Sequence, residues 1–310
     1  MKQNALDISR KVAPNMGGLP SLEGIDVADA VIPIFEEGGD RITRISFKDR
    51  YPLDHWAENV MRGGKDHFIL PALKGISNEV TKQVVQNYRT NLVGKILNYK
   101  KIYGVAMTDV AGHEDEGLIV NAAFHQSLLT GILDSLPIRG EVPTALFENL
   151  NTRFQTTVDF ESHIALLYAE ISEEGKCRYV AANSHAPILL SAQYGKVLHL
   201  QDDHESSLPI GFALSSFSGA DETGDGSEII KPPYEVNEIN IAPGDILLLY
   251  SDGLSDHLLE DGSKYINKGL EQTLLATREQ SAKRICDAIK AEVKKDPRED
   301  DISYTLIKKR

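Results

Sequence analysis

The chain has 310 residues, 41% of them apolar and 25% charged, with 33 basic against 46 acidic side chains and a formal net charge of −13. This composition suits a globular domain with its own core and excludes fibrous and low-complexity classes. The acidic balance makes nucleic acid and anionic membrane poor partners. The two distant cysteines, Cys177 and Cys286, exclude a disulfide framework, and no apolar run nears the ~18 residues of a spanning helix.

Residues 1–23 are polar and read as a lead-in, and residues 24–310 as one domain. The N-terminus has no apolar stretch of signal-peptide length, so the expected location is the cytoplasm. Residues 25–35 alternate as a strand, Glu36-Glu37-Gly38-Gly39-Asp40 is a turn, and Ile42, Ile45 and Phe47 continue as a second strand, which together predict a hairpin. From about 50 to 100 the pattern is helical. Val80, Val84, Val85, Tyr88, Leu92, Ile96 and Leu97 form a stripe expected to pack on the chain's own domain. A short apolar strand at 102–108 runs into Asp109. Helices are expected at 122–136 and 144–154, followed by hairpins at 164–181 and 188–200. Residues 215–229 read as a loop, 234–241 as a strand, and Pro243-Gly244-Asp245 as a turn before a buried strand at 246–250. An amphipathic helix at 282–293 and a closing strand at 304–307 complete the chain. Antiparallel strands with helices grouped apart indicate an α+β layered domain.

Four acidic residues share a local design: Asp40, Asp109, Asp252 and Asp300 each lie at or beside the end of an apolar strand, in a turn. Strand ends are rigid and loops give access, so these positions suit a functional site. Taken singly, an Asp beside Gly is also an ordinary turn residue. If the four converge, their like charges raise one another's pKa values and call for a counter-charge. An all-oxygen set favours hard cations such as Mg²⁺ and Mn²⁺, and no His/Cys cluster has zinc spacing. Cys177 in a strand and Cys286 in an amphipathic helix lack the surroundings of a nucleophilic thiolate.

Over residues 24–48 and 102–308 the chain resembles the PPM-type metal-dependent serine/threonine phosphatases of the SpoIIE/RsbU branch. Gly38-Gly39-Asp40 is similar to the branch's Gly-Gly-Asp, and Asp109-Val110-Ala111-Gly112-His113 to its Asp-Val-Ser-Gly-His. Asn183-Ser184-His185-Ala186-Pro187 stands where the branch has Gly-His-Pro, Tyr250-Ser251-Asp252-Gly253 resembles its Thr-Asp-Gly stretch, and Asp300-Asp301-Ile302-Ser303 its Asp-Asp-Ile-Thr ending. The resemblance implies an α-β-β-α sandwich of antiparallel sheets, into which this chain's own helical pattern sets an insertion at about 50–100. It implies hydrolysis of phosphoserine or phosphothreonine on a protein by a water activated between two divalent cations, Mn²⁺ or Mg²⁺. Asp109 would bridge the metals with the Val110 carbonyl beside it, Asp252 and Asp300 would hold one, and Asp40 the other. His113, Gly112, Gly253 and Asp301 are auxiliary candidates. The implied substrate is a phosphorylated anti-sigma-factor antagonist in bacterial partner switching. The insertion itself is expected to serve regulation, through an activating partner or a homodimer.

The chain departs from the branch in the 68 residues between Asp40 and Asp109 (positions 41 to 108), in Glu114-Asp115-Glu116 after His113, and in Ser184 where glycine is usual. Two alternatives stay open: a catalytically weak signalling scaffold on the same fold, and another two-metal phosphohydrolase, for instance one acting on nucleotides.

Overall fold

The computed structural model describes residues 22–33, 40–66, 69–110, 114–157, 163–200, 207–215, 230–297 and 300–310. Two five-stranded antiparallel sheets form the frame. The first has the order β1-β12-β11-β6-β7, from β1 (Ile25–Ile32), β12 (Ile302–Lys309), β11 (Ile246–Tyr250), β6 (Ile188–Ser191) and β7 (Lys196–His199). The second has the order β10-β5-β4-β3-β2, from β10 (Asn237–Asn240), β5 (Lys176–Ala182), β4 (Ile164–Ser172), β3 (Ile102–Val110) and β2 (Arg41–Ser46). A short parallel pair, β8 (Leu214–Ser215) with β9 (Ile230–Lys231), stands apart.

Three apolar layers follow from the pleat, because alternate residues of a strand face opposite sides. On β3, Tyr103, Val105 and Met107 meet Leu247 and Leu249 of β11 and Ile307 of β12 between the sheets. Ala106 and Val110 face the other way, into a layer with Phe124, Leu128, Ile132 and Leu136. Those four lie on α4 (Glu114–Arg139) at helical spacing, beside α5 (Thr144–Thr157). Across the first sheet, α7 (Tyr265–Thr277) and α8 (Ala282–Val293) cover Leu248, Tyr304 and Leu306. On α8, Ala282, Ile285, Cys286, Ile289 and Val293 make one buried face, and the Ser281 hydroxyl accepts from the Arg284 amide at 3.4 Å as an N-cap. All five residues of β11 are buried because both of its faces are covered. The architecture is therefore α-β-β-α.

The expected hairpin across Asp40 does not exist. β1 pairs with β12 in the first sheet and β2 pairs with β3 in the second, so the chain crosses the sandwich between Ile32 and Arg41. Local alternation marked the strands correctly, but each finds its partner far away in sequence. Phe47, expected in the second strand, starts the one-turn helix α1 (Phe47–Arg50), where it is buried against Tyr99.

The helical stretch resolves into α2 (Leu53–Met61), a 3₁₀ turn at Leu70–Leu73, α3 (Asn78–Asn98) and a 3₁₀ turn at Tyr99–Lys101. Only Leu92 and Ile96 of α3 are buried, and Val80 is 51% exposed. The expected stripe thus meets the core through its C-terminal half, where Tyr88 and Val93 also pack against the core, while the N-terminal turns stay exposed. At that end Tyr99 accepts from the Val142 amide at 2.9 Å and donates to Glu170 of β4, to which Tyr168 also donates at 2.8 Å. Other expected elements shift at their ends. The 234–241 strand shortens to β10, the closing strand lengthens to β12, and α7 carries no expectation from the sequence. Residues 216–229 of the expected loop lie outside the described residues. No helix among the described residues is long and apolar enough to cross a membrane.

Candidate metal centre

The sandwich brings distant strand ends to one edge. Asp109 is the penultimate residue of β3 and follows the side of Tyr103, Val105 and Met107, so its carboxylate faces the space between the sheets. Asp40 stands just before β2, beside β3 through the Arg41–Thr108 register pair. Asp252 opens the short helix α6 (Asp252–Asp256) directly after β11. Asp300 precedes β12, which pairs with β11 through Tyr250 and Tyr304. Asp40, Asp109 and Asp252 line one cavity of about 30 Å³ with Ser251, Ser303 and His185. That is room for about two water-sized species.

The electrostatics follow from this crowding. Burial, then the Asp109 charge, push Asp40 up to about 8, with the Ser251 and Ser303 hydroxyls pulling partly the other way. Asp40 Oδ2 is buried without a hydrogen-bond partner, an arrangement that costs about 1–3 kcal/mol unless something compensates it. Burial and the charges of Asp252 and Asp300 push Asp109 up to about 6, against the Val110 amide. Asp300 is raised too, by burial and then by Asp252 and Asp301, although its carboxylate accepts from the Asp301 amide at 2.7 Å. Asp252 Oδ1 accepts from the Gly253 amide at 2.8 Å. The four acids therefore sense one another. Even so, among the described residues no three His, Cys, Asp or Glu side chains close into a ready-made metal cage. Oxygen-only donors, an orphaned buried carboxylate oxygen and the raised carboxyls of Asp40, Asp109 and Asp300 fit hard divalent cations.

Gly253 and Asp301 link two of these strand ends, because a Cβ on residue 253 would stand 1.9 Å from the Asp301 carbonyl oxygen. Asp301 is 8% exposed, and its main chain fills that contact. Val110, 7% exposed, ends β3. Gly112 and His113, like Gly38 and Gly39, lie outside the described residues. Asp245, in a similar Gly-Asp turn, is structural: its two oxygens accept from the amides of Ala192 at 2.7 Å and Ala242 at 2.9 Å. Sequence reasoning overlooked Ser251 and Ser303 as cavity residues. Their signal was adjacency to the acids in Tyr-Ser-Asp-Gly and Asp-Asp-Ile-Ser. His185 stacks on Tyr250 with centroids 5.4 Å apart, and its Nε2 lies 2.9 Å from Ser255 Oγ, which donates to the Asp252 carbonyl at 2.8 Å.

Two stacked antiparallel sheets between helical layers, with strand-end acids around one edge cavity, define a phosphatase-type sandwich of the PP2C class. The SiaA-PP2C domain of Pseudomonas aeruginosa matches it with a TM-score of 0.59 at 14% identity, over 99% of this chain and 94% of that one. The chain belongs to the SpoIIE family: the family model for Stage II sporulation protein E (SpoIIE) matches residues 100–310. That segment holds Asp109, Asp252 and Asp300 but not Asp40. Phosphoserine phosphatase RsbU of Bacillus subtilis (strain 168) is 22% identical over 193 residues, 61% of this chain and 51% of that protein. The chain thus spans about half the length of the curated relative it matches. The RsbU and RsbW domains of a Mycobacterium tuberculosis protein match with a TM-score of 0.60 at 15% identity, over 94% of this chain and 61% of that one.

Proposed function

We propose that this chain hydrolyses phosphoserine and phosphothreonine on a protein substrate by direct attack of water. The observation that carries the proposal is the shared cavity of Asp40, Asp109 and Asp252, with Asp300 within their field. Asp109, Asp252, Asp300, the Val110 carbonyl and Asp40 would hold two divalent cations, Mn²⁺ or Mg²⁺. Bound there, they supply neutralisation of the carboxylates, a clamp on the phosphate and a lowered pKa for the attacking water. The residues themselves prepare this. Asp40 keeps a proton on its carboxyl in the metal-free chain and gives it up when a cation takes that place. Asp252 is oriented by the Gly253 amide, and α6 is tied down through Ser255 and His185. No cysteine takes part, since burial pushes the thiols of Cys177 and Cys286 up to about 12 and about 11.

The likeness to phosphoserine phosphatase RsbU supports phosphoserine as the group removed; the substrate proposed is a phosphorylated anti-sigma-factor antagonist, in partner switching in the bacterial cytoplasm. Residues 24–310 would act as one domain, with the helical 50–100 segment serving regulation by a partner or self-association. The test is hydrolysis of aryl phosphate and phosphoserine peptides by the purified chain with Mn²⁺. Activity that is lost on chelation and in Asp252→Ala is expected. An inactive chain, or turnover untouched by Asp252→Ala, overturns the proposal.

A further inference from the structure

Asp109 faces the space between the sheets, but the residue before it faces the helices. Thr108, 3% exposed, lies on the side of β3 that carries Ala106 and Val110. Its Oγ1 donates to Asn121 Oδ1 at 2.8 Å and, with its single proton so engaged, accepts from His125 Nε2–H at 2.8 Å. Asn121 and His125 are one turn apart on α4 and are 2% and 0% exposed. Burial, reinforced by the Arg41 charge, holds the imidazole neutral, pushed down to about 3. Its Nδ1 is buried without a partner. Three apolar residues would fill the same space with no orphaned nitrogen, so packing alone does not account for the cluster. Its location does. Thr108 adjoins Asp109 in β3 and pairs in register with Arg41, which adjoins Asp40. The three side chains therefore tie α4 to the back of the sheet at the point where two of the acids emerge on the front.

We propose that Thr108, Asn121 and His125 are positioning residues for the cation site, fixing the end of β3 so that Asp109 and the Val110 carbonyl are held for metal. The proposal rests on the cation-dependent reading of the site given above. Removing a partner behind a ligand typically costs about 10- to 100-fold in metal affinity. The experiment is Mn²⁺ titration of the full chain by calorimetry, with metal-free thermal melts, for Thr108→Val, Thr108→Ser, His125→Leu and His125→Gln. Thr108→Val and His125→Leu are expected to bind Mn²⁺ about 10- to 100-fold more weakly while the folded state persists. Thr108→Ser keeps the hydroxyl and His125→Gln keeps an N–H donor, and both are expected to restore affinity to within about threefold. If Thr108→Val fails to fold, the His125→Leu and His125→Gln pair carries the comparison. Variants that melt earlier but bind Mn²⁺ like the wild type overturn the inference alone, as does a serine variant as weak as valine. A wild-type chain that binds no Mn²⁺ overturns the proposed function and this inference with it.

Discussion

The main chains of Gly253 and Asp301 touch so closely that any side chain at 253 would collide with the Asp301 carbonyl, 1.9 Å from a Cβ. The contact joins the exit of β11 to the entrance of β12 and so sets Asp252 beside Asp300. Because the obstacle is backbone in a buried position, neither partner can swing away.

Gly253→Ala is therefore expected to destabilise the chain by about 1–3 kcal/mol, the usual cost of overpacking, and to weaken Mn²⁺ binding at the same time. Urea unfolding and Mn²⁺ titration check this. A variant matching the wild type in both would show that the two strand ends separate freely.

The raised acids set a pH dependence. Asp40 is shifted from 3.8 to about 8 and Asp109 from 3.8 to about 6. Between the unfolded and folded values the native state holds protons that the unfolded chain has released, so stability falls as pH rises. The metal-free chain should lose stability from about pH 4 to about pH 8, and Asp40→Asn should flatten the upper part of that fall. Cation binding should release protons, so Mn²⁺ affinity should climb between about pH 6 and pH 8. Calorimetry in buffers of different ionisation enthalpy measures the release, and a proton count of zero would contradict the assignment of Asp40.

Glu170 anchors the root of α3 through Tyr99. Burial raises its carboxyl from 4.5 to about 7, although Tyr168, Arg178 and Tyr99 favour the ionised form. By the same sign, its ionisation costs stability as pH climbs from about 4.5 through about 7. Glu170→Gln should lessen the drop in melting temperature between about pH 5 and pH 7.5, and should do so additively with Asp40→Asn because the sites are far apart. Parallel profiles for wild type and variant would refute the assignment.

Much of this was legible along the chain. The hairpins of β4 with β5 and β6 with β7 join neighbours in sequence and their turn residues mark them, while the apolar run of β11 and the periodicity of α8 mark those elements even though β11 pairs with the distant β6 and β12. The Asp-Gly and Asp-Asp motifs marked the strand ends that carry acids. The partner of β1 was not legible, because β12 lies some 270 residues away and alternation says only which face a residue takes, not which strand it meets. Nor was the exposure of Val80, since a helical stripe does not reveal which of its turns another element covers.

The sequence by itself determined that four aspartates stand at or beside strand ends and that no His/Cys group has zinc spacing. Only the tertiary structure decided that Asp40, Asp109 and Asp252 share a cavity, that Asp245 is structural, and that Gly253 must lack a side chain. The reason is physical. Motifs record local backbone needs, whereas a carboxylate's pKa and its possible ligands depend on charges brought close by strands that are far apart in the chain.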